Sequence, residues 1–301
     1  MRILRTFGEL TGDTFLAIGV FDGVHLGHQR VIGRARDDAK AAGGISVVLT
    51  FDPHPMRILR PDQAPLLLTS TAHKLALIEK LGADACLLVK FDKEFSEMPA
   101  ETFIQHIAPC RQVCVGTRFR FGHNRAGDVR LMEQLAPNFG FTLREIQSVL
   151  TTDGEMISST AVRQHVVTGN LERAAAMLGR PFSILGTVEK GDHRGRELGF
   201  PTANLDPHNE ALPPNGVYAV RVAFGVERFG GVVNIGIRPT FEGERQRVLE
   251  VHIFEFMREI YGMDIEVEFV KKLRDERKFE SAAELKTQIA ADVGVARQLL
   301  T

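Results

Sequence analysis

Apolar and polar residues follow two different periods along the first half of the chain. Residues 14–20 (TFLAIGV), 45–51 (ISVVLTF) and 85–91 (ACLLVKF) are short, nearly unbroken apolar runs. Their length and β-branched content are those of buried strands. Residues 27–42 carry helical spacing, and so does the stretch that runs through Lys80 to a stop at Gly82, with Ser70 or Thr71 placed to cap it. Asp52-Pro53 ends the second apolar run. Strand-like runs alternating with helices predict a parallel sheet covered on both faces. Two more helical stretches, 159–168 and 171–178, precede a break at Gly179-Arg180-Pro181.

Beyond that break the pattern changes. Residues 217–223, 231–237, 248–256 and 265–270 are short strand candidates separated by Gly, Pro and charged turns. In 248–256, Leu249, Val251 and Ile253 point one way, while Glu250 and His252 share the other face with Val248 and Phe254. This is the pattern of a small antiparallel barrel or sandwich. Residues 280–300 form a helical tail with Leu285, Ile289, Val293 and Ala296 on its apolar face. The chain thus divides into an α/β domain, 1–180, and a small antiparallel β-barrel or sandwich domain with a C-terminal helix, 181–301.

Composition sharpens this. At 301 residues the chain is long enough for about two domains of roughly 150 residues. Hydrophobic residues at 44% and charged residues at 25% match an ordinary soluble protein. A net charge of -1 argues against nucleic acid or an anionic membrane as the main partner, while leaving room for local phosphate sites. Cys86, Cys110 and Cys114 cannot all pair and suit a reducing compartment. The opening MRILRTFGEL has no apolar core of signal-peptide length, and no run approaches a membrane span. A cytoplasmic protein is expected.

Residues 19–28 read GVFDGVHLGH. A strand ends, glycines turn the chain, and two histidines follow three residues apart. With a helix starting near Leu26, His25 and His28 project together beside its first turn, where backbone N–H groups already favour an anion. Imidazoles there can donate to a phosphate whose charge grows during attack. A histidine pair alone is more often structural; after a strand and between glycines it reads as a phosphate site. The His25-Leu26-Gly27-His28 element resembles the signature of the nucleotidylyltransferase superfamily. Together with TFDPHP at 50–55 and ISSTAVRQHVVTGN at 157–170, it resembles the adenylyltransferase half of the bacterial bifunctional riboflavin kinase/FMN adenylyltransferases, the FAD synthetases.

That resemblance implies a Rossmann-like nucleotidylyltransferase domain. It places Gly19, Phe21, Asp22, Gly23 and Gly27 in an ATP loop, with His25 and His28 on the triphosphate and His54 nearby. Ser158, Ser159, Thr160 and Arg163 would complete the site. Hydroxyls at a helix start plus an arginine suit a phosphate clamp, though Ser158 or Ser159 serves equally as an N-cap. One segment departs from the family. Where the family usually has G-x-D-F-x-F-G, residues 116–122 place Arg118 at the aspartate. With Arg120, Arg125 and Arg130 around Phe119 and Phe121, that segment also admits an RNA-binding reading.

The second half carries its own signature. Residues 191–205 read GDHRGRELGFPTANL. Gly191, Gly195 and Gly199 permit close backbone approach, and Arg194 and Arg196 supply charge for phosphate. Thr202 and Asn204 are hard oxygen donors two residues apart that can share a Mg²⁺ ion. Glu250 sits in an otherwise apolar strand, where a carboxylate needs a job or a partner; a salt bridge to a barrel arginine is the structural alternative. With GVYAVRV at 216–222, VNIGIRPTF at 233–241 and LEVHIFEF at 249–256, this half resembles the riboflavin kinase domain of the same family. The family usually has Asp where Glu255 stands. The resemblance implies Mg²⁺ on Thr202 and Asn204, Glu250 as general base, and Gly191, Gly195, Arg196, Phe200 and Pro201 around nucleotide and flavin.

The expected function is therefore phosphorylation of riboflavin by ATP to FMN in the second domain, and adenylylation of FMN by ATP to FAD and pyrophosphate in the first. The ligands are riboflavin, ATP, FMN and FAD, with no nucleic acid and no membrane. Two alternatives stay open: a riboflavin kinase with an impaired adenylyltransferase half, and a flavin-responsive RNA-binding regulator. His106, Cys110 and Cys114 have metal-like spacing but lack a fourth ligand, and Pro109 interrupts any helix, so no zinc is assigned.

Overall fold

A computed structural model describes residues 1–190, 199–239 and 245–300. The chain forms two compact units, one from Met1–Leu66 and Thr71–Ser159, the other from Leu67–Ser70 and Thr160–Thr301.

In the first unit, strands β1 (Arg2–Leu4), β2 (Thr14–Ile18), β3 (Ile45–Asp52), β4 (Ala85–Lys90), β5 (Gln112–Gly116) and β8 (Thr142–Ile146) make a sheet in the order β1-β4-β3-β2-β5-β8. Every pairing in it is parallel. A separate short hairpin pairs β6 (Arg120–Phe121) with β7 (Gly127–Asp128). Successive residues of β2 go to opposite faces, as a pleated strand requires. Phe15 and Ala17 join a core with Val31, Ile32, Ala35 and Ala39 of α1 (Leu26–Ala42) and Leu77 and Ile78 of α3 (Thr71–Lys80). Leu16 and Ile18 join the opposite core with Phe103, Ile104 and Ile107 of α5 (Ala100–Ile107) and Met132 and Ala136 of α6 (Val129–Phe139). Short helices α2 (Pro55–Leu59) and α4 (Lys93–Ser96) follow β3 and β4.

The strand order defines where a ligand can sit. From β2 the chain steps to β3 and β4 on one side, then returns to β5 on the other. The carboxyl end of β2 is therefore the topological switch point, where open α/β sheets form their crevice. The GVFDGVHLGH segment leaves β2 at that end.

The second unit opens with α7 (Ser159–Val167), whose first residue belongs to the other unit, and α8 (Leu171–Leu178). β9 (Ser183–Glu189), β10 (Ala203–Pro207), β11 (Gly216–Phe224), β12 (Glu227–Pro239), β13 (Arg245–Ile253) and β14 (Asp264–Arg274) close a barrel in the order β10-β13-β12-β11-β14-β9. All its pairings are antiparallel. Leu249, Val251, Val233 and Ile235 are buried on the inner face. β13 stops at Ile253 rather than Phe256, because Glu255 adopts a φ of 55° that a strand cannot continue through. The C-terminal helix α9 (Ala282–Leu300) buries Ala296 against Val217, Ala219, Val232 and Phe254. Its Asp292 is clamped by Arg274 at 2.9 Å.

Candidate functional site

The loop after β2 is strained and closely packed. Phe21 (φ 55°) and Val24 (φ 43°) both take left-handed backbone, and Val24 is β-branched. Such conformations cost about 1–3 kcal/mol each and persist only where the surroundings over-determine them. Here Phe21 and Val24 are each 1% exposed. A Cβ on Gly19 would meet the Phe21 ring at 2.8 Å, so only glycine lets that ring fold under the strand end. Phe21 in turn meets His28 edge-on, with ring centroids 5.1 Å apart. Asp22 is buried beside them, and its carbonyl accepts the Ser159 hydroxyl at 2.8 Å.

His25 is the N-cap of α1: its Nδ1 accepts the backbone N–H of His28 at 3.3 Å. An acceptor Nδ1 places the neutral ring's proton on Nε2. Gly27 is needed between them, because a Cβ there would lie 3.1 Å from His25 Cε1. The His25 and His28 rings stack with centroids 3.5 Å apart. Burial, then the nearby His25 and Lys74, holds His28 well below the ordinary histidine pKa. A neutral His28 ring has a single N–H to offer.

The TFDPHP turn lies against this loop. Gly19 N–H donates to the Leu49 carbonyl at 3.1 Å, and the Thr50 hydroxyl donates to the Val20 carbonyl at 2.9 Å. His54 caps α2 as His25 caps α1, its Nδ1 accepting the Met56 N–H at 3.2 Å. Thr71 opens α3 and sends its hydroxyl to the Asp52 carboxylate at 2.7 Å. The structure therefore brings Gly19, Phe21, Asp22, Gly23, His25, Gly27 and His28 together with Ser159, and sets the TFDPHP turn beside them. Ser158 directly precedes α7, and Thr160 and Arg163 lie on it.

Lys74 escaped the sequence reading. It is 6% exposed and lies on the buried face of α3 with Leu77 and Ile78. Its ammonium donates to the Phe51 carbonyl at 3.0 Å and the Val20 carbonyl at 3.3 Å. A lysine at a core-facing helical position was the available signal. Arg118 is exposed just after β5, and Arg120 is paired with Asp128 at 2.6 Å across the β6–β7 hairpin. Cys86 and Cys110 are pushed up to about 12 and Cys114 to about 11, in each case first by burial, so all three stay thiols.

On the barrel, the register sets Glu250 of β13 directly opposite Asn204 of β10 on one side and Asn234 of β12 on the other. Directly opposed residues share a face, so Glu250 stands half-buried between two amides. Asn234 was not singled out from the sequence; only strand register reveals it. His252, two residues along the same face, holds the Pro201 carbonyl at 2.8 Å through Nδ1 and meets Phe200 edge-on at 5.5 Å. Thr202 follows, exposed immediately before β10. The Thr202 hydroxyl and Asn204 amide oxygen are hard donors beside a carboxylate, which fits a divalent cation that retains phosphate and water oxygens. Among the described residues, no cluster of three or more His, Cys, Asp or Glu forms a metal cage. Gly191, Gly195 and Arg196 lie outside the described residues.

Comparison with known proteins covers both units. A family model described as FAD synthetase matches residues 9–161, and one described as riboflavin kinase matches residues 178–300. The chain is 40% identical over 288 residues to the bifunctional riboflavin kinase/FMN adenylyltransferase of Escherichia coli K12, covering 94% of this chain and 91% of that protein. It is 40% identical to the protein of the same name from Bacillus subtilis, covering 94% and 92%. Among solved structures, a Streptococcus pneumoniae protein titled as a macrolide-efflux protein superposes with a TM-score of 0.82 at 27% identity, covering 98% of each chain. Among the described residues of this chain, no helix is long and apolar enough to cross a membrane.

Proposed function

Because the chain belongs to the bifunctional riboflavin kinase/FMN adenylyltransferase family, we propose that its two reactions run on two separate residue sets. Residues 1–180 would carry adenylyl transfer and residues 181–301 riboflavin phosphorylation. The protein converts riboflavin and ATP to FMN, and FMN and ATP to FAD and pyrophosphate. What remains to assign is which side chains do each.

For adenylyl transfer the phosphate of FMN attacks the α-phosphate of ATP. A phosphate monoester has a second pKa of about 6, so the nucleophile is already anionic near neutral pH and needs no base. The His25 and His28 rings, fixed at the first turn of α1, donate to the triphosphate as its charge redistributes. Ser158, Ser159, Thr160 and Arg163 are assigned to the phosphates on the family motif that they carry, and His54 on its place in the TFDPHP turn.

For phosphorylation a neutral hydroxyl must lose a proton, and here a carboxylate is offered. Glu250 accepts the proton of the riboflavin 5′-hydroxyl as that oxygen attacks the γ-phosphate of ATP and ADP departs. Thr202 and Asn204 would hold Mg²⁺, whose charge offsets that on the phosphate oxygens. Phe200 and Pro201, braced by His252, line the approach. Gly191, Gly195 and Arg196 would contribute backbone N–H groups and a cation. The ligands are small molecules in a cytoplasmic setting.

The observation that carries this assignment is the division of chemistry. A stacked histidine pair stands at the sheet's switch point in one unit, and a carboxylate between two amides stands on the barrel in the other. A chromatographic product assay with riboflavin, ATP and Mg²⁺ tests it. Glu250→Ala should abolish FMN formation while added FMN still becomes FAD, and His28→Ala should do the reverse. Loss of both activities in a folded single variant would refute the assignment.

A further inference from the structure

Lys74 is enclosed on every side. Its ammonium reaches the Phe51 carbonyl, near the end of β3, and the Val20 carbonyl, two residues past the end of β2. The Val20 carbonyl also takes the Thr50 hydroxyl. Phe51 lies beyond the last residue of β3 that is paired with β2, and Val20 lies past the end of β2; a buried carbonyl left unpaired is costly. Three turns of contact therefore converge on one cation: the loop carrying the histidines, the turn carrying His54, and α3, itself tied to Asp52 through Thr71.

The charged and titratable neighbours are equally specific. Asp22 and Asp52 favour the ammonium's charge against the burial that opposes it, and the Cys86 thiol of β4 lies with them. On the other side Lys74 acts on the ring of His28, as does His25 from α1. We propose that Lys74 is a positioning residue for adenylyl transfer: its buried ammonium pins the loop after β2 to the end of β3, and so sets where the His25–His28 pair stands and what charge faces it. This rests on the reading that the pair serves adenylyl transfer.

The test uses full-length Lys74→Met and Lys74→Arg, assayed for both products, with the His28 ring proton followed by NMR titration. In Lys74→Met the FAD-forming kcat should fall at least about tenfold, with FMN formation within about twofold as an internal control. The His28 ring should titrate at higher pH than in the wild type, since a repelling cation is gone. Lys74→Arg keeps the cation, so His28 should titrate as in the wild type and FAD formation should return to within about fivefold. FAD formation within about twofold in Lys74→Met, or a His28 titration that does not move, overturns the proposal. Where Lys74→Met does not fold, Lys74→Arg decides alone: a displaced His28 titration or an FAD loss like that of His28→Ala overturns it. His28→Ala separates this from the underlying reading, which fails when that variant still makes FAD.

Discussion

The Nδ1 of His25 accepts the backbone N–H of His28 at 3.3 Å, so the atom that starts α1 also orients a ring of the proposed nucleotidyl site. Helix start and site geometry share one contact, and the ring can be removed while the cap is kept. Asparagine is among the best N-caps but cannot donate from an imidazole. His25→Asn should therefore keep the melting stability within about 0.5 kcal/mol while FAD formation falls about a hundredfold. His25→Ala should lose the activity and also about 1 kcal/mol of stability. Thermal melts paired with the FMN-to-FAD assay separate the two; equal activity in His25→Asn and wild type would show that the ring serves only as a cap.

Gly27 is predicted to be intolerant of a single methyl. A Cβ there would lie 3.1 Å from His25 Cε1 and 3.2 Å from Nδ1, tighter than ordinary van der Waals contact. Alanine is otherwise the better helix former by about 1 kcal/mol. Gly27→Ala should thus leave the melting temperature unchanged or raised, and yet lower FAD formation at least about tenfold by displacing the His25 ring. FMN formation from riboflavin, assayed in the same tube, should not change.

His28 makes the first unit's stability depend on pH in a defined direction. Its native pKa lies well below the ordinary 6.5, first because of burial and then because of His25 and Lys74. Below pH 6.5 the unfolded chain binds a proton that the native ring refuses. The contribution is therefore complete above that pH and is lost as pH falls toward the native pKa. The slope stays below the ~1.4 kcal/mol per pH unit that one whole proton would set. Denaturant melts of wild type and His28→Gln from pH 7 down to pH 5 should diverge, with the wild type losing more. Parallel curves would mean that the ring titrates alike in both states.

Legibility in the sequence followed from how local each signal is. β2, β3 and β4 are apolar runs, and α1 follows a glycine-bounded turn, so both period and punctuation mark them. β8 (Thr142–Ile146) is an edge strand with three of its five residues exposed and none buried, and it carries no apolar run to find. α6 holds Pro137 inside its last turn, so it reads as broken. The histidine pair was visible because its partner is three residues away. Lys74 showed only as a lysine at a core-facing helical position; what it holds was not visible, because its partners are the carbonyls of Val20 and Phe51, and a backbone oxygen has no signature in sequence. Asn234 was missed for a related reason: its place beside Glu250 is a matter of strand register, which a one-residue slip would reverse.

The barrel site allows metal use to be tested apart from proton transfer. Asn204 and Glu250 face each other across β10 and β13, yet the proposed roles differ: an oxygen donor to Mg²⁺ in one case and a proton acceptor in the other. Asn204→Ala removes a neutral donor without touching the carboxylate. FMN formation should then need at least about tenfold more Mg²⁺ for half-maximal rate, with much of kcat recovered at saturation. Glu250→Gln keeps the side-chain shape but not the base, so its kcat should fall about 10²–10⁴-fold at any Mg²⁺ concentration. Magnesium titrations of riboflavin phosphorylation in the two variants distinguish these outcomes, and FMN-to-FAD conversion at fixed Mg²⁺ serves as the control. An Asn204→Ala enzyme with wild-type Mg²⁺ dependence would remove Asn204 from the metal site and leave the hydroxyl of Thr202 as the remaining donor to test.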